Sequence, residues 1–182
     1  MTFKKKNILK FTSLISLSLI VFGSIAYGTF KSDIISNESD FAIAEDTIKP
    51  VKLRNNIVNF GMELLGTPYV EASSSKAGFD CSGFVYYVFK HHKIQVPRSS
   101  SQFKNFGKEI SIENVKKGDI LLFLSPTRNV IGHIGIVTNP NGKNSDFIHA
   151  SSGREMKVII SSLKQEGYTR RFVKAIDVLL PL

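Results

Sequence analysis

The sequence predicts an α+β domain with an antiparallel sheet. Three observations carry that prediction. Leu53, Ile57, Phe60, Leu64 and Leu65 recur at helical spacing, and Phe84, Val85, Val88 and Phe89 repeat the pattern. From Gly118-Asp119 onward the period changes to short apolar runs. Helices come first and strands afterwards, without the alternation that would feed a parallel sheet.

Taken in order, the first helix starts near Leu53 and stops at Gly66, and Thr67-Pro68 opens a loop. The loop passes Tyr69 and Ser73-Ser74-Ser75 to Gly78. Asp80 is a good N-cap for a second helix from Cys81 to about His91, because its side chain can accept from the free N–H groups of the first turn. Pro97 interrupts the chain, and Ser99 or Ser100 can cap a short third helix with Gln102 and Phe103. Ile120 to Leu124 reads as a buried strand. Ile131 to Thr138 and Phe147 to Ser151 read as a pair of strands, with the turn signal Asn141-Gly142 between them. Val158-Ile159-Ile160 and Arg171 to Val178 supply further strands.

Charge divides the chain into three parts. Residues 1–30 sum to +4, residues 31–49 to −3 and residues 50–182 to +8. Lys4, Lys5, Lys6 and Lys10 precede the uncharged run Phe11 to Phe30, and Ser24-Ile25-Ala26 offers small residues for a signal peptidase. Residues 1–30 are therefore expected to be a signal peptide, or else an N-terminal membrane anchor, and the only membrane contact. Residues 31–50 read as an acidic linker and 51–182 as the folded domain. The domain is expected outside the cytosol, on the periplasmic or cell-wall side, as a monomer. The net charge of +9 points to an anionic neighbour. Lys and Arg are scattered and no recognition motif is present, which argues against nucleic acid.

One cysteine and two histidines carry the chemistry. A single Cys cannot form a disulfide within the chain. Cys81 would be the first helical residue after Asp80, where the helix dipole and free N–H groups favour a thiolate. His91 and His92 lie ten and eleven residues further along the same helix, roughly 15 Å away at about 1.5 Å per residue. They are expected at a solvated helix end. His133 and His149 lie on neighbouring strands instead. With a turn near Gly142, position 133 opposes position 151, and His149 becomes the diagonal same-face neighbour of His133. The expected row is Cys81, His133, His149, with the thiolate against His133 and His149 fixing its tautomer.

These blocks resemble the NlpC-type cell-wall peptidases, bacterial relatives of papain. Gly66-Thr67-Pro68-Tyr69, Phe79-Asp80-Cys81-Ser82-Gly83-Phe84-Val85 and Val96-Pro97-Arg98-Ser99 with Gln102 match in order. Gly118-Asp119-Ile120-Leu121-Leu122-Phe123, Gly132-His133-Ile134-Gly135-Ile136 and Phe147-Ile148-His149-Ala150-Ser151 follow. The resemblance covers about 53 to 175. It implies a papain-like fold, N-terminal helices carrying the nucleophile on an antiparallel sheet, with Cys81 as nucleophile, His133 as base and His149 as third member. It implies hydrolysis of amide bonds in peptidoglycan stem peptides, with no cofactor and no metal. It also implies that Tyr69 helps line the oxyanion site and that Asp80 and Ser82 approach the substrate. Arg98 could pair with a substrate carboxylate or brace the loop after Pro97. The family's aromatic residue and paired glycines after Tyr69 are replaced here by Glu71-Ala72 and serines, which bears on subsite shape.

Three other readings compete. A zinc hydrolase would use Cys81, His133 and His149 as ligands, though no ligand spacing supports it. An amidase or acyl/peptidyl transferase would keep the fold and change the reaction. A non-catalytic wall-binding module would use the basic domain to dock on an anionic polymer.

Overall fold

The computed structural model describes residues 49–179, and the expected signal peptide and most of the expected linker lie outside them. Residues 49–62 are helical (α1), so Pro50 belongs to a helix rather than to the linker. No helix among the described residues is long and apolar enough to cross a membrane. The remaining elements are β1 (Ser74–Ser75), β2 (Gly78–Phe79), α2 (Cys81–His91), β3 (Lys108–Ile110), β4 (Ile120–Leu124), β5 (Ile131–Asn139), β6 (Asp146–Ser151), β7 (Lys157–Ser162), α3 (Glu166–Thr169) and β8 (Phe172–Asp177). Two 3-10 turns, Ser100–Asn105 and Ile112–Asn114, complete the set.

Six strands form one sheet in the order β3-β8-β4-β5-β6-β7, every neighbouring pair antiparallel. The continuous apolar run of β4 has a simple cause, because the sheet is covered on both faces. Ile120, Leu122, Ile134, Ile136, Ile148 and Ala150 pack with Phe84, Val85, Val88 and Phe89 of α2. The alternate residues Leu121, Phe123, Val137 and Phe147 pack with Val115, Leu163, Tyr168 and Phe172. The four α2 residues are fully buried, each worth about 1.5–3 kcal/mol of apolar transfer.

α1 is tied to the sheet by charge as well as by Ile57. Arg54 donates to Asp119 at 2.6 Å, to the Lys117 carbonyl at 3.1 Å and to Asp177. Arg54 and both carboxylates are buried. After α1, Gly66 takes φ +81, a left-handed conformation in which a Cβ would be strained. The chain then pairs with the start of β7: Gly66 N–H donates to the Val158 carbonyl, Val158 N–H to the Thr67 carbonyl and Tyr69 N–H to the Met156 carbonyl.

Several details depart from the sequence expectations. The third helix is a 3-10 turn, in which Ser99 N–H donates to Gln102 Oε1 at 3.2 Å. The serine stretch holds the β1-β2 hairpin instead of plain loop. β3 and α3 carry no strong periodicity, so the sequence pattern does not predict them. His91 is exposed at the end of α2, as expected, and stacks on Phe60 of α1 with ring centroids 3.7 Å apart, while His92 is half-buried. Burial lowers the His92 pKa.

Candidate active site

The site begins at the head of α2. Asp80 is the N-cap, and its Oδ1 accepts from Gly83 N–H at 2.6 Å. This leaves Cys81 as the first helical residue, as its position after Asp80 predicts. Gly83 is required there, because a Cβ would sit 2.0 Å from the Ser73 carbonyl oxygen. That carbonyl also accepts from Asp80 N–H at 3.0 Å and from Arg98 at 3.1 Å. Hairpin, helix head and the Arg98 loop are thus locked together.

Arg98 grips Asp80 through two parallel bonds of 2.9 and 2.7 Å and touches Ser82 Oγ at 3.2 Å. The structure therefore engages Arg98 within the fold, in the bracing arrangement. Ser82 is buried and its hydroxyl bonds Asp80. The phenol of Tyr69 lies within electrostatic reach of Cys81 and Asp80, and burial raises its pKa.

Cys81 is a free thiol, half-buried, whose Sγ lies 3.8 Å from the Gly132 carbonyl oxygen on β5. His133 is the next residue of that strand. Across β5 and β6, Ile136 opposes Ile148 and Val137 opposes Phe147, the register expected from a turn near Gly142. It brings His133 Nε2 to 2.9 Å from His149 Nδ1, the rings nearly perpendicular. His149 is fully buried. Its Nε2 faces Ser161 Oγ at 3.0 Å and Tyr168 OH at 3.2 Å. Neither partner was identified from sequence. Ser161 could have been, since it opposes Phe147 and so stands diagonal to His149 on the same face. Tyr168 had no such signal, because it comes from the irregular segment around α3.

The electrostatics correct one expectation. Burial, followed by the Asp80 carboxylate, pushes the Cys81 thiol up to about 11. The N–H groups of Ser82 and Cys81 and the Arg98 charge pull it down, and they do not prevail. A standing thiolate is therefore disfavoured: desolvation outweighs the helix N-terminus, and the capping residue carries the same sign as the thiolate. Burial likewise drives His133 well below an ordinary imidazole and His149 to about 4. Both rings are neutral at pH 7. A cavity of about 170 Å³ opens beside His133, with Tyr168, Arg171, Ser151 and Ser152 in its walls. Among the described residues no group of three or more His, Cys, Asp or Glu is arranged to hold a metal ion.

Residues 66–177 match the model of the NlpC/P60 family. An Escherichia coli K12 protein named murein DD-endopeptidase MepS/murein LD-carboxypeptidase is 30% identical over 155 residues, covering 85% of this chain and 77% of that one. A Bacillus cereus γ-D-glutamyl-L-lysine dipeptidyl-peptidase is 30% identical over 146 residues, 80% of this chain and 42% of its own length. The crystal structure of a Bacillus cereus NlpC/P60 family protein superposes with a TM-score of 0.63 at 30% identity, over 70% of this chain and 40% of that one. The NlpC/p60 domain of the peptidoglycan hydrolase SagA gives a TM-score of 0.56 at 27% identity, over 68% of this chain and 97% of that domain. Helices packed on an antiparallel sheet, the ordered motif blocks and these matches agree, and the chain belongs to the NlpC/P60 family of papain-like cysteine peptidases.

Proposed function

We propose that this protein is an exported cysteine endopeptidase that hydrolyses amide bonds in the stem peptides of peptidoglycan, with Cys81 as nucleophile, His133 as base and His149 as the orienting member. The observation that carries the reading is the 2.9 Å bond between His133 and His149, on the strand whose Gly132 carbonyl faces the Cys81 sulfur. The names of the E. coli and B. cereus relatives support the substrate class. Export is supported by the lysine-rich start and uncharged run of residues 1–30.

The geometry suggests the following steps. The Cys81 proton passes to the free Nδ1 of His133 as sulfur attacks the amide carbonyl, so that neither buried ion stands alone. The oxyanion forms near the N–H groups that head α2, with the Tyr69 phenol nearby. His133 then gives its proton to the leaving amine, and a thioester remains on Cys81. Water, deprotonated by the now neutral His133, hydrolyses it and restores the thiol.

Digestion of purified sacculi by wild type and Cys81→Ala, with fragments identified by mass spectrometry, tests the reading. Soluble stem-peptide fragments from wild type alone are expected. Equal release by Cys81→Ala would overturn the assignment. Sacculus binding without release by either protein would favour a wall-binding module, and products carrying a new amide would mark a transferase.

A further inference from the structure

The strand register places a third polar side chain in line with the two histidines. His133, His149 and Ser161 step diagonally across β5, β6 and β7 on one face. Ser161 is buried, and Tyr168 closes the same end from the segment between β7 and β8. We propose that Ser161 and Tyr168 are positioning residues that set the tautomer of the histidine pair, so that the ring nitrogen left for Cys81 is the unprotonated one.

Proton counting carries the inference. A neutral imidazole has one N–H and one lone pair. One hydrogen therefore lies between His133 Nε2 and His149 Nδ1. If His149 supplies it, His133 must hold its own proton on Nδ1 and presents a donor to the thiol, which cannot act as a base. If His133 supplies it, Nδ1 carries a lone pair and can take the Cys81 proton. The second arrangement puts the His149 proton on Nε2, which then needs an acceptor from the protein because the His149 ring has no exposed surface. Ser161 Oγ at 3.0 Å and Tyr168 OH at 3.2 Å are placed to accept it; either hydroxyl can also donate, so the nitrogen spectrum decides the direction. When His133 becomes an imidazolium, the same order turns the lone pair of His149 toward the new charge. Ser161 and Tyr168 act on the reaction only through His149.

The inference rests on His133 being the base, and the test keeps the two apart. Nitrogen-15 NMR of the wild-type protein reads the tautomers without any substrate. His149 is expected to be protonated at Nε2 and bare at Nδ1, and the reverse would overturn the proposal. Ser161→Ala combined with Tyr168→Phe should lower kcat about ten- to hundredfold with a small change in KM, the loss typical of an unsatisfied buried N–H. It should also shift the tautomer signals, and Ser161→Thr should restore both. Unchanged kcat and unchanged nitrogen shifts in the double variant would also overturn it. If that variant does not fold, the wild-type spectrum decides. Activity surviving in His133→Ala, with the wild-type tautomer as expected, would instead sink the base assignment alone.

Discussion

Cys81 sits where two influences oppose each other. The N–H groups of the first turn and Arg98 favour a thiolate, while burial and Asp80 disfavour it more strongly. The thiol therefore needs an acceptor in place when it reacts. Cys81→Ser is expected to cut peptidoglycan hydrolysis by about three orders of magnitude or more, measured as release of soluble muropeptides. The histidines set the acid limit. A base must be neutral, His149 is held to about 4 and His133 is also well below its usual range. With His133 as the proposed base, the activity profile should show no acid limb near 6.5 and should fall only at a pH well below that. A limb centred near 6.5 would show rings protonated like exposed imidazole.

Among the elements, the helix head depends on a hairpin distant from it in periodicity but adjacent in chain. Gly83→Ala would push a methyl into the Ser73 carbonyl, so the β1-β2 hairpin or the Asp80 cap must move. The expected cost is about 2 kcal/mol or more in denaturant unfolding, together with loss of activity. Gly66→Ala provides the control. Its φ is +81, but no atom lies within 4 Å of the added carbon, so about 1–2 kcal/mol of backbone strain is expected with activity retained. Arg98 is a second link. It neutralises Asp80 and lowers the thiol pKa, so Arg98→Ala should slow alkylation of Cys81 by iodoacetamide at fixed pH. An unchanged or faster rate would contradict that linkage. Ala72, which replaces one of the family's usual residues after Tyr69, holds φ 57 in the same segment. Ala72 thus sits in a left-handed conformation that favours glycine.

For the whole molecule, two buried polar systems couple stability to charge. His133 and His149 have folded pKa values below 6.5, so the unfolded chain binds more protons as pH falls below about 7. Their contribution is complete above 6.5 and is lost as pH falls toward about 4. Unfolding free energy should drop by a few kcal/mol, roughly, between pH 7 and pH 5, and the drop should shrink in His149→Gln. The Arg54 system joins α1 to the sheet through Asp119 and Asp177. Arg54→Ala leaves two buried carboxylates facing each other without a cation and should cost about 3–5 kcal/mol, read by chemical denaturation. A loss below about 1 kcal/mol would show that the Arg54 pairs do not hold α1 to the sheet.

Much of this architecture was readable from local pattern. α2 runs over the predicted residues because its cap, its apolar face and its histidine end all lie within a dozen positions. β4 was visible as an unbroken apolar run, and the β5-β6 register followed from a turn signal and a period of two. Cys81, His133 and His149 stood out because reactive side chains at a helix head and on paired strands are a short-range property. β3 was not visible because its partner β8 lies far along the chain, and the two-residue strands of the β1-β2 hairpin and the four-residue α3 are too short to show a periodic face. The protonation of the site is not legible in local pattern for a related reason. Helix polarity is encoded in neighbouring residues, whereas desolvation depends on every element that closes over the sulfur and the rings. Ser161 and Tyr168 joined His149 for the same cause: a hydrogen bond between segments exists only once packing has brought them to within about 3 Å and removed the water that would otherwise take their place.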